Sequence, residues 1–233
     1  IHIIRTGVLG VNTLIVPLVG KKVFVVDPAA CSLSKDENLV TDYLISHKLD
    51  CVGVVLTHSH FDHIMGIYPI KNVFPKCSIA IHKNEYEELI SPPGRMNKIV
   101  ISFFGMPDDI LSEIAKQPDA NVSLSDGDSL EKLVIDSNSP LKNDSELRES
   151  LLQWAVIHTP GHTTGSICLY NKEKKILLSG DTIFDYGGYG RTDLYGGNES
   201  KILKSIQHIK SIIEDGTIVY PGHDSIFTYE RGV

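Results

Sequence analysis

The feature that most constrains this chain is a cluster of polar side chains directly after an apolar run. Residues 50–57 read DCVGVVLT, a pattern typical of a strand that is buried on both faces. The next six residues contain His58, His60, Asp62 and His63. Imidazole and carboxylate groups are ligands for zinc, iron and manganese in proteins. A polar surface turn is the alternative interpretation, but this grouping favours a metal site.

Strand and helix patterns occur in two batches along the chain. The first batch predicts strands at 12–19, 22–27, 50–57 and 78–81, with helices at 36–47 and 84–90. The second predicts strands at 153–158, 166–170, 175–179 and 217–220, and a helix capped by Asn198. That helix is expected to bury Ile202, Leu203, Ile206, Ile209, Ile212 and Ile213. Two similar batches indicate two facing sheets with helices outside them.

The middle of the chain is less regular. Ser91-Pro92-Pro93-Gly94 breaks the pattern, and residues 95–117 are expected to be partly helical. Residues 136–150 are polar without a clear period, so we predict a surface insertion in the form of a hairpin. Residues 1–233 are interpreted as one domain with this insertion.

Three further polar residues follow predicted strands, and each is preceded by a glycine. They are His162, Asp181 and His223. Glycine lets the backbone bend sharply and approach a neighbouring group closely. Together with the first cluster they provide seven candidate ligands, which is enough for a hydrolytic centre with two metal ions.

In this order and spacing the seven residues resemble the metallo-β-lactamase superfamily, over about residues 6–228. The resemblance implies an α+β fold, a four-layer αββα sandwich. It also implies that His58, His60 and His162 bind one metal ion and that Asp62, His63 and His223 bind the other. Asp181 would bridge the two ions. Asp27 would accept a hydrogen bond that orients a ligand histidine or a nearby loop, although an aspartate in a turn at the end of a strand fits nearly as well.

Finer motifs are similar to glyoxalase II and its short relatives. They are HTPGHTTGS at 158–166, SGDTIF at 179–184 and GRTD at 190–193. This similarity implies hydrolysis of a thioester or small acyl ester by a hydroxide shared between two divalent ions, zinc in the first instance, with iron or manganese as alternatives. Asp62 would also direct the nucleophile, and Arg191 would contact an anionic substrate group, although a solvent-exposed arginine at a turn fits equally well.

The chain departs from glyoxalase II at its C-terminal end and from true β-lactamases at one ligand position. The helical extension that follows the last ligand in glyoxalase II is not expected here, because only ten residues follow His223. True β-lactamases lack the aspartate at the Asp181 position, which argues against that activity. The rival hypothesis is a persulfide dioxygenase, which would hold one iron through His58, His162 and Asp181.

Composition excludes several other classes of protein. The net charge of −7 argues against a general nucleic-acid binder, and no run of about 18 apolar residues predicts a membrane span. The four cysteines contain no C-x-x-C pair and are expected to be buried and free. We therefore expect a cytoplasmic enzyme that acts on a small molecule; the sequence does not indicate an oligomeric state.

Overall fold

Strands of two sheets form the frame of the molecule in the computed structural model, which describes residues 1–90, 94–105, 108–137 and 139–231. The first sheet has the order β1-β2-β3-β4-β5-β6 and consists of β1 His2–Thr6, β2 Val11–Pro17, β3 Lys22–Val26, β4 Asp50–Val55, β5 Ser78–His82 and β6 Val122–Leu124. The second has the order β11-β10-β9-β8-β7 and consists of β7 Ala155–His158, β8 Ile167–Asn171, β9 Ile176–Gly180, β10 Thr217–Pro221 and β11 Phe227–Tyr229.

Most helices cover the outer faces of the sheets, whereas those at 132–135 and 145–152 pack with the apolar cluster between the sheets. The helices are α1 Leu39–Ser46, α2 Phe61–Ile64, α3 Ile67–Val73, α4 Tyr86–Ile90, α5 Arg95–Phe104, α6 Asp108–Ala115, α7 Lys132–Ile135, α8 Ser145–Leu152 and α9 Glu199–Ile212. Asn198 caps α9 as predicted, because its side chain accepts a hydrogen bond from the backbone N–H of Lys201.

Three separate apolar clusters show that the layers follow the order helix, sheet, sheet, helix. In β3, Val23 and Val25 pack toward the outer helices, whereas Phe24 and Val26 pack between the sheets. This alternation is the two-residue period of a strand with both faces buried. A third cluster lies between the second sheet and α9 and includes Ile209. The predicted four-layer αββα fold is therefore confirmed.

Some predicted details were wrong. Residues 140–143 form a 3₁₀ turn and 145–152 form α8, where a hairpin was expected, and Leu147 and Leu151 are buried in the core. Leu203 and Ile212 are exposed, because only residues at 202, 206, 209 and 213 share one face of α9. The short strands β1, β6 and β11 were not predicted. The predicted break at 91–93 lies outside the described residues. Within the described residues, no helix is long and apolar enough to cross a membrane.

The strand directions bring six chain segments to one edge of the sandwich. β3, β4 and β5 are parallel neighbours in the first sheet, and β9 and β10 are parallel in the second. β7 has the same direction as β9, because each is antiparallel to β8. The two sheets are joined at this edge by the hydrogen bond from Ile167 N–H to Thr57 O (2.9 Å). Side chains that follow these strands therefore face one another.

Candidate metal centre

The segment after β4 supplies four of the predicted ligands from a short loop and one helical turn. His58 and His60 lie on the loop, and α2 begins at Phe61, so that Asp62 and His63 lie in its single turn. All four side chains are buried. The loop therefore holds polar groups in the interior, where each needs a partner.

One group of ligand atoms is formed by three imidazoles from both sheets. His58 Nε2 lies 3.1 Å from His60 Nδ1 and 3.2 Å from His162 Nε2. His162 follows β7, so the second sheet contributes to a group that begins on the first. These are three residues whose ligand atoms are close enough to share one metal ion.

A second group lies beside the first and contains a carboxylate. Asp62 Oδ2 is 3.5 Å from His63 Nε2 and 3.4 Å from His223 Nε2, and the two imidazole nitrogens are 3.4 Å apart. His223 follows β10 and is partly exposed, whereas the other two side chains are buried. This group opens toward solvent through His223.

Asp181 lies between the two groups. Its Oδ2 is 3.5 Å from His162 Nε2 of the first group and 3.7 Å from His223 Nε2 of the second, and its Oδ1 is 3.6 Å from His63 Nε2. A Cβ atom at Gly222 would overlap the Asp181 carboxylate, so only glycine allows this approach. All seven predicted ligands thus converge on one volume.

Hydrogen bonds from behind fix which nitrogen faces the centre. His63 Nδ1 donates to Asp27 Oδ2 (3.0 Å), and His162 Nδ1 donates to the backbone carbonyl of Arg191 (2.8 Å). Thr57 Oγ1 donates to Asp27 Oδ2 (2.6 Å) and so accepts from His58 Nδ1 (3.1 Å). These three imidazoles therefore present an Nε2 lone pair to the centre, which is the form that a metal ion binds.

The spacing of the ligand atoms fits metal ions. Nitrogen ligands placed tetrahedrally at the usual bond length to zinc lie about 3.3 Å from one another. The nitrogen pairs of both groups are separated by 3.1–3.4 Å. Asp181 Oδ1 and His60 Nε2 are buried and have no hydrogen-bond partner among the described residues. An unpartnered carboxylate oxygen in the interior is costly unless a cation lies beside it.

A family model described as the metallo-beta-lactamase superfamily matches residues 6–223. The chain belongs to the metallo-beta-lactamase superfamily. Among its relatives, an uncharacterized protein from Aquifex aeolicus is 28% identical over 96% of this chain and 89% of that protein. The probable metallo-hydrolase MJ0888 from Methanocaldococcus jannaschii is 30% identical over 90% of this chain and 86% of its own length. The acyl-coenzyme A thioesterase MBLAC2 from Bos taurus is 29% identical over 76% of this chain and 57% of its own length.

Solved structures of the superfamily share the fold. BLEG-1, described as a B3 metallo-beta-lactamase, superposes with a TM-score of 0.76 at 26% identity and covers 97% of this chain and 93% of its own. TTHA1623 in a di-iron-bound form gives a TM-score of 0.72 at 22% identity, and the match covers 98% of this chain and 94% of TTHA1623. ETHE1 from Myxococcus xanthus gives 0.62 at 19% identity, covering 97% and 74%.

His58 and His60 differ from His63 in the direction in which their surroundings shift the pKa. Burial, reinforced by the neighbouring imidazoles, holds the pKa of His58 and His60 well below the usual value. Burial also acts to lower the pKa of His63, but Asp181, Asp62 and Asp27 outweigh it and raise that pKa to about 10. His58 and His60 are therefore neutral and ready to bind a cation. The second group attracts positive charge, which a metal ion can supply in place of a proton.

Arg191 contacts the ligand His162 through its backbone carbonyl, while its side chain pairs with a neighbouring residue. Its guanidinium forms a bidentate pair with Asp193, in which both N···O distances are 2.7 Å, and it lies over the ring of Phe103. The expected contact of this side chain with an anionic substrate remains a prediction. The carbonyl contact to His162 was not anticipated.

Glu85 and Asn97 are buried residues of the site that the sequence did not single out. Glu85 follows β5 and Asn97 lies in α5, and both hydrogen-bond the backbone of Ser59. The signal for Glu85 was available, because polar residues after neighbouring parallel strands meet at the same sheet edge.

Proposed function

We propose that the protein hydrolyses a thioester or a small acyl ester at a centre of two divalent metal ions, in the manner of glyoxalase II. The observation that carries this proposal is the position of Asp181, whose two oxygens lie near histidines of both ligand groups. A carboxylate shared in this way is what a pair of adjacent cations requires.

Each ion has a defined set of ligands in this proposal. His58, His60 and His162 would hold one ion, and Asp62, His63 and His223 the other, with Asp181 common to both. Zinc is the proposed metal because imidazole and carboxylate groups suit it, and iron or manganese would accept the same ligands. The bound ions would supply an acidic water and an electrophile for the acyl oxygen.

Asp62 is the proposed catalytic residue. Burial acts to raise its pKa, but His63 and His223 outweigh that effect and hold it well below the usual range. Asp62 therefore remains a carboxylate at neutral pH and can accept a hydrogen bond from the attacking water. This contact would fix the direction of attack, which is a large part of the rate gain in such reactions.

A thioester suits the groups around this site. The thiol that it releases has a pKa of about 8.5, so the thiolate can leave without a strong general acid. The similarity to MBLAC2, named as an acyl-coenzyme A thioesterase, supports the same substrate class. The proposed reaction needs only water and the thioester, and its products are a carboxylate and a thiol.

A cavity that shares Phe184 with the surroundings of His223 would receive the acyl part of the substrate. The ring of Phe184 lies 6.4 Å from the ring of His223, and Phe184 also lines this cavity of about 460 Å³. The other walls include Tyr186, Phe227 and Tyr229, with Lys210 among them. These aromatic walls favour an apolar acyl group, and the ammonium group of Lys210 favours a substrate that also carries an anionic group.

The rival function is oxidation of a persulfide at a single iron. Its expected ligands also lie close together, since His162 Nε2 is 3.2 Å from His58 Nε2 and 3.5 Å from Asp181 Oδ2. The complete second group of Asp62, His63 and His223 favours two ions and hydrolysis.

Metal analysis combined with a substrate panel tests the proposal. We expect two ions per chain, and thiol release from S-lactoylglutathione or from an acyl-coenzyme A, measured with a thiol reagent. A cephalosporin assayed in parallel tests β-lactam hydrolysis, which should be slower by orders of magnitude. One iron per chain with oxygen consumption on glutathione persulfide would instead establish the dioxygenase.

A further inference from the structure

Glu85 is a fully buried carboxylate that contacts none of the seven candidate ligand side chains through a hydrogen bond within the described part of the chain. Its Oε2 accepts the backbone N–H of Ser59 at 2.6 Å. Its Oε1 accepts the backbone N–H of Gly165 at 2.7 Å and the hydroxyl of Thr163. Three donors therefore converge on one carboxylate, an arrangement that stabilises a buried negative charge.

The donors come from the two loops that carry the three-histidine group. Ser59 lies between His58 and His60, on the loop that follows β4 of the first sheet. Thr163 directly follows His162, on the loop that follows β7 of the second sheet. Glu85 itself follows β5, the neighbour of β4, and so reaches both loops from one side. A single carboxylate thus connects the two sheets at the metal centre.

Asn97 holds the next peptide group of the same loop. Its Nδ2 donates to the carbonyl of Ser59 at 2.8 Å, and its side chain is fully buried. The peptide groups on both sides of Ser59 are therefore restrained by buried polar side chains. Such restraint sets the direction in which the flanking histidines leave the backbone.

We propose that Glu85 is a positioning residue that fixes His58 and His60 relative to His162, and so controls metal affinity at the three-histidine group alone. This inference rests on the proposed two-metal centre and is independent of the substrate. The second group does not depend on Glu85, because its orienting contact is the hydrogen bond from His63 to Asp27. Partners behind metal ligands typically control metal affinity by 10–100-fold.

Glu85→Gln is the informative substitution. The amide keeps the shape of the carboxylate, but its NH₂ group must face either Ser59 N–H or Gly165 N–H, so one of the two loops loses its bond. Asp36→Asn is the matched control. Asp36 also accepts two backbone N–H groups, from Gly7 and Cys31, and the hydroxyl of Ser34, away from the ligands.

The experiment measures cobalt and zinc affinity by titration in two backgrounds. His223→Ala disables the second group, and His60→Ala disables the first. We expect Glu85→Gln to weaken binding roughly 10–100-fold in the His223→Ala background and to leave it unchanged in the His60→Ala background. Asp36→Asn should change neither affinity.

Equal effects of Glu85→Gln in both backgrounds, or no effect in either, would overturn the inference. If Glu85→Gln does not fold by circular dichroism, Thr163→Val removes the hydroxyl that donates to Glu85 and contacts Ser166 Oγ, and it should give a smaller shift of the same kind. No shift would again count against the inference. Failure of the wild-type chain to bind two ions would instead overturn the proposed function on which it rests.

Discussion

Replacement of Asp181 by asparagine is the most direct test of the two-metal centre. The substitution keeps the side-chain shape and removes one negative charge. Asp181 Oδ1 has no hydrogen-bond partner among the described residues, so the amide disrupts no hydrogen bond at that atom. The metal-free variant should therefore fold, but with a lower melting temperature than the metal-free wild type at neutral pH, because protonated His63 loses the attraction of Asp181.

The expected loss follows from the distances. Asp181 oxygens lie 3.5–3.7 Å from nitrogens of both ligand groups. An ion held by ligand atoms this close to one another would lie within 4 Å of the carboxylate, and at 4 Å two unit charges interact by about 4 kcal/mol at an effective dielectric constant of 20. Since 1.4 kcal/mol corresponds to a factor of ten, loss of the charge should weaken binding of the two metal ions about 1,000-fold. This loss of affinity is a lower bound, because each proposed metal ion carries two charges rather than one.

The assay is metal content after dialysis, followed by zinc titration and measurement of kcat/KM on a thioester. Asp181→Asn should retain at most one ion and lose most of its activity. Asp36→Asn is the control, because that carboxylate accepts the backbone N–H groups of Gly7 and Cys31 and lies outside both groups. An Asp181→Asn enzyme with two tightly bound ions and wild-type kcat/KM would refute the shared role of this residue.

Three further predictions concern other contacts of the site. The pKa of His63 is raised to about 10, so its protonation stabilises the metal-free protein below pH 6.5, and this stability is lost as the pH rises toward 10. Urea unfolding of the metal-free protein should lose up to about 1.4 kcal/mol per pH unit between pH 7 and 9.5, and saturating zinc should remove the decline; a flat profile without metal would contradict this. Asp27→Asn should weaken zinc binding by roughly 10–100-fold, measured by titration, because His63 loses its acceptor, while the left-handed backbone (φ 49°) tolerates asparagine; unchanged affinity would count against its orienting role. Arg191→Ala should raise KM for S-lactoylglutathione more than for an uncharged thioester, because only the charged substrate loses a contact with the guanidinium. The backbone carbonyl that holds His162 remains in this variant. Equal KM changes for the two substrates would exclude a charge contact.

The candidate site could be predicted from the sequence because its signals are local. Four ligands lie within six residues after a buried strand, and the other three each follow a glycine. The geometry shows what the glycine at Gly222 does, since any side chain there would collide with Asp181. The resemblance supplied the grouping of the ligands, and the structure brings together the same two groups.

The missed elements lack such local signals. β1 reads HIIRT and is half exposed at a sheet edge, so it shows neither a buried run nor a clean alternation. β6 and β11 contain only three residues each. Residues 145–152 read as polar because α8 buries only Leu147 and Leu151 on one face. These elements are decided by tertiary packing, which a single sequence does not display.

Glu85 shows why the supporting residues of a site are harder to predict than its ligands. Ligands are chosen from a few residue types by the chemistry of the metal, whereas a support can be any polar group that reaches the backbone. Glu85 lies 26 residues from Ser59 and 80 from Gly165 in sequence, and only the pairing of β4 with β5 brings it to the first loop. Because the second loop belongs to the other sheet, the contact exists only after the two sheets pack. The affinity of the three-histidine group should therefore depend on the packing of the sandwich as well as on its ligands.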